Sequence, residues 1–162
     1  MSKMVNRKIL IREAEAGDAE DIAKMMARLK KLNEEFETQF KVVDDLDKKA
    51  LDYTNKVIKS EKSIITVAEI NGKVGGFIKA DIVDRIFYQP KSELRITDFY
   101  IMPEFRRNGL GKKILTDLTD RASKNGIKMI TAEFPALNLI GLNFYKKSGF
   151  RGILNVYGKE IS

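Results

Sequence analysis

The sequence predicts an α+β domain built on a mixed sheet, and three observations carry that expectation. Apolar residues recur at helical spacing in residues 18–59, switch to period two across residues 63–83, and then alternate between the two patterns to the end. An Asn71-Gly72 pair between two strand-like runs marks an antiparallel hairpin, because Asn-Gly supplies the positive φ of a two-residue turn. Further on, strands are separated by helices, which requires parallel crossovers, so the sheet combines both kinds of pairing. The expected order is β-α-α-β-β-β-α-β-α-β in a single domain spanning residues 1–162, with no internal repeat or linker.

Residues 8–13 alternate as a half-buried strand does. Asp18 then caps a helix whose core stripe is Ile22, Met25, Met26, Leu29 and Leu32. Residues 33–47 follow as the one acidic stretch, with Glu34, Glu35, Glu37, Asp44, Asp45 and Asp47 around Phe36 and Phe40. They read as a solvated connection or as a wall that attracts a cationic amine. A second helix is expected over 46–59, with Leu46, Ala50, Tyr53, Val57 and Ile58 inward. The hairpin strands are 63–70 and 73–83, with a bulge marked by Gly75-Gly76, and residues 84–92 form a loop. A strand ending near Ile101 breaks at Pro103 and turns through residues 106–111; a helix with Leu110, Ile114, Leu115 and Leu118 then runs to Asn125-Gly126. Strand 128–134, helix 138–147 and a final strand 150–161 complete the chain.

Composition removes several chemistries. With 43% hydrophobic and 33% charged residues the chain has the balance of a folded globular domain. It has no cysteine, which excludes disulfides, thiolate metal sites and cysteine nucleophiles. It has no histidine either, so Ser-His-Asp chemistry, histidine bases and most transition-metal sites are unavailable, and no metal is expected. No apolar run approaches the roughly 20 residues of a membrane span, and no signal-peptide pattern opens the chain, so a cytoplasmic protein without a membrane partner is expected. The net charge of +7 favours acidic partners, among them a phosphorylated cofactor.

The turn Arg106-Arg107-Asn108-Gly109-Leu110-Gly111 is the feature around which function is expected. Glycines let a backbone approach a ligand, and a helix starting there presents free N–H groups and its positive dipole end to a phosphate or pyrophosphate. A dinucleotide GxGxxG would need glycine where Ile114 stands, and a P-loop would need glycine at Arg106 and Ser or Thr at Lys113. A nucleic-acid-binding module using Arg106, Arg107, Lys112 and Lys113 lacks both a recognisable motif and an interleaved aromatic platform, so no nucleic-acid partner is expected.

Two motifs in order resemble those of GNAT-type N-acetyltransferases. The acyl-CoA loop of that family, Arg/Gln-x-x-Gly-x-Gly/Ala, stands here as Arg106 to Gly111 after a strand ending Phe99-Tyr100-Ile101-Met102-Pro103. The second motif stands as Asn138, Phe144-Tyr145 and Gly149-Phe150. The likeness implies a three-layer fold with a mostly antiparallel central sheet, and acetyl transfer from acetyl-CoA directly to a primary amine. It further implies that the backbone of Arg107, Asn108, Gly109, Leu110 and Gly111, aided by Arg106 and Lys112, holds the CoA pyrophosphate. Ile101 and Met102 would pair with the pantetheine arm as an added strand, and Asn138 and Asn143 would bond the same arm. Tyr145 holds the position of the general acid that protonates the thiolate, and Asp98 matches an acidic position suited to a general base acting through water.

Layout and the acidic stretch are similar to spermidine/spermine-type acetyltransferases. That implies a small polyamine or diamine acceptor bound by Glu34, Glu35 and Glu37, with a protein α-amine or lysine as the alternative. A non-catalytic acyl-CoA-binding regulator is the remaining reading, and a homodimer stays open.

Overall fold

The computed structural model describes residues 7–162. Its elements are β1 (Ile9–Glu13), α1 (Ala19–Phe36), α2 (Leu46–Ile58), β2 (Ser63–Ile70), β3 (Lys73–Asp84), β4 (Ser92–Ile101), α3 (Leu110–Lys124), β5 (Ile130–Ala132) and α4 (Leu139–Lys147). The strands lie in chain order in one sheet, antiparallel from β1 to β4 and parallel between β4 and β5. Alternation along β2 and β3 sends Ile65, Val67 and Phe77 to a core with α1 and α2. It sends Ala68, Ile78 and Ala80 to a second core with α3 and Tyr145 of α4. The result is helix, sheet, helix in three layers. Among the described residues no helix is long and apolar enough to cross a membrane.

Two irregularities in the sheet matter for the site. The register of β2 against β3 slips between Ala68 and Glu69, which leaves Gly75 as the extra residue. The register of β3 against β4 slips between Lys79 and Ala80, which leaves Thr97 as the extra one. Before Thr97, Leu94 and Ile96 face α3; after it, Phe99 and Ile101 do, while Asp98 and Tyr100 turn toward α1 and α2.

Three expectations differ from the structure. α1 continues past Leu32 to Phe36 and so takes Glu34 and Glu35 into its last turn, because glutamates are good helix formers and no breaker intervenes. Tyr53 is not inward but 41% exposed, with its ring beside the Lys79 ammonium. The expected final strand over 150–161 does not form. Phe150 packs on Tyr145, but residues 151–162 have no regular structure and are exposed, Val156 at 90% and Tyr157 at 91%. A strand-like composition needs a partner ladder, and among the described residues no backbone hydrogen bond joins this segment to β5, which is only 3 residues long.

Arg12 ties β1 to the start of α1. Its two terminal nitrogens donate to Asp18 at 2.7 and 2.9 Å, and its Nε donates to Glu69 at 2.9 Å. The Arg12 hydrogen bonds hold the Asp18 carboxyl below the usual carboxylate range, against the opposing effect of burial. A depressed carboxylate contributes stability that is present above its unfolded value and is lost as pH falls through the folded one. Asp18→Asn is therefore expected to cost about 2 kcal/mol at pH 7 and to flatten the acid side of the stability curve, measured by denaturant unfolding from pH 2 to 7.

Candidate active site

β4 leaves the sheet at Ile101 and passes through Met102, a 3-10 turn (Pro103–Phe105) and Arg106 before α3 starts at Leu110. Arg107 and Gly109 are left-handed, with φ of 75° and 71°. The N–H of Arg106 donates to Pro103 O and that of Lys113 to Gly109 O. Between them, from Arg107 to Lys112, no N–H finds an acceptor among the described residues. The first turn of α3 carries no acid but holds Lys112 and Lys113, the reverse of what the helix dipole favours. An anion seated on these amides would satisfy both conditions at once.

The two glycines of the turn do different things. Gly109 needs its left-handed φ and has nothing within 4 Å of a Cβ position. Gly111 is a packing glycine, because a Cβ there would lie 3.3 Å from Phe144 and 3.5 Å from Ile101. Arg106 does not extend from the turn: its Nε donates to Ile101 O at 2.7 Å and its guanidinium lies 5.1 Å from the Tyr100 ring centre.

β4 and β5 pair from Leu94–Ile130 to Ile96–Ala132, with a last bond from Glu133 N–H to Ile96 O, and then part. The N–H of Met102 donates to Gly75 O, so by antiparallel alternation Ile101 directs its own backbone groups away from β3 and toward the gap. Met102 does not: its N–H is held by Gly75 and its carbonyl accepts from Phe105 N–H. Of the two residues expected to pair with an extended arm, the backbone of Ile101 alone faces the opening. Asn138 is the N-cap of α4, accepting from Gly141 N–H at 3.0 Å, which leaves its amide nitrogen free of any protein acceptor among the described residues. Asn143 is exposed on the outer face of α4.

Tyr145 of α4 lies in the core shared with α3, and Asp98 of β4 lies on the sheet face toward α1. Tyr145 is 7% exposed, stacked on Phe134 at 5.1 Å and edge-on to Phe144 and Phe150, and its hydroxyl makes no hydrogen bond to the described residues. Burial pushes its phenol pKa up, and the charge of Asp98 adds to the shift. Asp98 is 3% exposed. Its Oδ1 lies 2.5 Å from Lys30 Nζ, and its Oδ2 accepts from Thr97 Oγ1 at 2.8 Å. Thr97 accepts in turn from Lys79 Nζ at 3.1 Å, and Lys79, itself 2% exposed, also donates to Tyr53 and Asp81. Burial favours neutral Lys79, but the bonds to Tyr53 and Asp81 outweigh it, and the net direction is upward.

No motif in the sequence marks Lys30, Lys79 or Thr97 as members of this network. The signal for Lys79 was a lone lysine inside a buried run of β3; nothing local marked the other two.

The acidic stretch is placed differently from the expectation. Glu34 accepts from Val42 N–H at 2.6 Å and Glu37 from Gln39 N–H at 3.1 Å, so both brace the loop after α1, while Glu35 is exposed. Glu93, 8% exposed, is held by Arg95 and Thr131. A depression of about 250 Å³ between α1 and α2 is lined by Met26, Lys30, Leu46, Lys49, Ala50 and Tyr53. Through Lys30 and Tyr53 it adjoins the buried polar network.

The chain is similar to known proteins in sequence and in fold. The chain is 26% identical over 98 residues to the uncharacterized N-acetyltransferase MJ1207 of Methanocaldococcus jannaschii, a match covering 60% of this chain and 43% of that one. The aminoglycoside N-acetyltransferase AAC(6')-Iy, solved in complex with CoA, superposes with a TM-score of 0.79 over 98% of both chains at 14% identity. A predicted acetyltransferase from Clostridium acetobutylicum, solved with acetyl-CoA, gives a TM-score of 0.76 at 20% identity, covering 94% of this chain and 96% of that one. These structures share the fold. The Acetyltransferase (GNAT) family profile matches residues 28–150, from the middle of α1 to Phe150, and so takes in the open turn, the parted strands and Tyr145. On that match the chain belongs to the Acetyltransferase (GNAT) family, whose acetyl donor is acetyl-CoA.

Proposed function

We propose that this chain moves acetyl from the thioester of acetyl-CoA directly to a primary amine. The observation that carries the reading is the run of unaccepted N–H groups from Arg107 to Lys112 at the mouth of α3. The CoA pyrophosphate binds there, with Lys112 beside it. The pantetheine arm runs along the β4 edge opened by the parting of β4 and β5, against the backbone of Ile101, and Asn138 donates from its free amide. Arg106 now covers the Ile101 carbonyl and must swing off it when the arm enters. Tyr145 donates to the sulfur as the C–S bond breaks. The acceptor arrives as an ammonium of pKa roughly 10 and must lose a proton to become nucleophilic, a task assigned to Asp98.

For the acceptor, a small polyamine or diamine is supported by the acids around the end of α1, although Glu34 and Glu37 each have one carboxylate oxygen engaged by the loop. A protein α-amine or lysine is the alternative within the same chemistry. Aminoglycosides belong in the acceptor panel because AAC(6')-Iy shares the fold. A cytoplasmic setting fits acetyl-CoA as donor.

The test is calorimetry with acetyl-CoA, followed by thiol-release assays over polyamines, amino acids, aminoglycosides and N-terminal peptides. Gly109→Val is expected to weaken acetyl-CoA binding about tenfold or more, since a β-branched residue strongly resists left-handed φ and re-aims the amides. No heat with acetyl-CoA for the parent chain would overturn the proposal.

A further inference from the structure

The partner that the structure gives Asp98 is itself a primary alkylammonium. Lys30 reaches it from α1 with a side chain that is 40% exposed, whereas the carboxylate is 3% exposed. One of the pair is mobile and the other is fixed. Thr97 and, behind it, Lys79 hold Oδ2 in place, so Oδ1 is the oxygen that can exchange partners. Around it, Tyr145 from α4 has no spare charge to offer, Lys79 and Asp81 from β3 pair with each other, Tyr53 from α2 is taken by Lys79, and Arg95 on β4 is held by Glu93.

Lys30 lines the depression with Met26, Leu46 and Ala50, an apolar wall suited to an alkyl stem, while Lys49 and Tyr53 supply its polar lining. A buried carboxylate cannot give up its cation without taking another, because an unpaired buried charge is strongly destabilising. Exchange of one ammonium for another avoids that cost. Once displaced, Lys30 has a second berth at Glu34, four positions further along α1 and on the same face.

We propose that Lys30 occupies the acceptor's own position on Asp98, and that the acceptor is a primary alkylamine whose ammonium displaces Lys30 Nζ while its chain lies along the Met26–Leu46–Ala50 wall. The inference rests on the reading that Asp98 faces the acceptor amine. Lys30 is then a specificity-determining residue: it competes with every guest, and it admits ammonium heads on unbranched stems that fit where its own stem lies. An internal competitor that fills the site for most of the time lowers apparent affinity in proportion, about tenfold for a site that is open one-tenth of the time.

The test is a refill experiment that does not depend on turnover. Lys30→Ala keeps Cβ and leaves a vacancy of the shape of n-propylammonium. The variant is expected to melt below the parent, to regain its midpoint with n-propylammonium but not with n-propanol, and to bind n-propylammonium about tenfold more tightly than the parent does by calorimetry. KM for an alkylamine acceptor falls correspondingly. Lys30→Arg, which keeps a cation on the carboxylate, gains no such affinity. If Lys30→Ala does not fold, Lys30→Gln, which can still donate to Asp98 but carries no charge, is expected to show the same gain. Equal affinity in variant and parent overturns the inference, and so does a gain that survives Asp98→Asn. A parent chain that releases thiol normally while these affinities stay level would reject this inference alone. A parent chain that gives no heat with acetyl-CoA, beside a Lys30→Ala that is refilled by n-propylammonium, would reject the transferase reading alone.

Discussion

Tyr145→Phe is expected to lower kcat about a hundredfold or more while changing acetyl-CoA affinity by no more than about twofold. The variant keeps the ring that stacks on Phe134 and packs on Phe150 and removes only the hydroxyl, which the rest of the described chain does not use. A leaving thiolate has a reference pKa of about 8.5, so it gains from a proton or a strong hydrogen bond as the C–S bond opens. Burial and the neighbouring Asp98 keep the phenol protonated throughout the neutral range. Complete transfer from so weak an acid to a free thiolate is uphill, so the hydroxyl acts chiefly as a hydrogen-bond donor to developing charge on sulfur. It follows that Tyr145 causes no alkaline loss of kcat below about pH 10.

The same shift has a stability counterpart. A group whose folded pKa is raised keeps its contribution below the unfolded value, about 10 for tyrosine, and loses it as pH rises from there toward the folded one. Stability of the parent chain is expected to fall above pH 10, and Tyr145→Phe to fall less. Thiol-release kinetics and unfolding at pH 9 to 11 check both statements; a kcat within about twofold of the parent would remove Tyr145 from the chemistry.

Gly75→Ala is the second large effect, and it acts on the frame. A Cβ at residue 75 would meet Phe105 Cδ2 at 2.6 Å and Ile70 Cδ1 at 2.8 Å, both too close for any real contact. Overpacking of this kind costs about 1–3 kcal/mol, which for a chain of this size lowers the melting midpoint by about 2–12 °C. The damage also reaches the site. Gly75 O accepts from Met102 N–H, and Phe105 closes the 3-10 turn immediately before Arg106. Weaker acetyl-CoA binding should therefore accompany the lower midpoint in scanning calorimetry and titration. A variant as stable as the parent would mean that Phe105 moves aside freely.

What could be read in advance depended on how local its cause was. Asn71-Gly72 and Gly109 announce positive φ by residue type alone, and the hairpin and the turn stand where the sequence places them. The stripe of α1 was equally plain, since Met25, Met26 and Leu29 bury at the spacing that predicts it, whereas Tyr53 breaks the one expected for α2. The failures involve partners far along the chain. Asp98 meets Lys30 across 68 residues, and Met102 proves closed to a ligand only because Gly75 and Phe105 take its backbone groups. Residues 150–161 have the composition of a strand, but composition does not supply the neighbour that a ladder needs. The acids at 34 and 37 were legible as acids, whereas their capture by Val42 and Gln39 belongs to the loop's own geometry.

Thr97 shows how much can hang on one inserted residue. In a strand, faces are assigned by odd and even position, and an insertion exchanges them for everything downstream. Because β4 counts one extra at Thr97, it gives apolar side chains to α3 on both sides of that residue and still turns a carboxylate toward Lys30. Deleting Thr97 would leave Asp98 on the Lys30 face, because it would then follow Ile96 in plain alternation; drawing Thr97 into the regular ladder would instead press Asp98 and Tyr100 into the oily layer under α3 and send Phe99 and Ile101 to the amine side. Parity in this strand decides which layer of the molecule receives the charge.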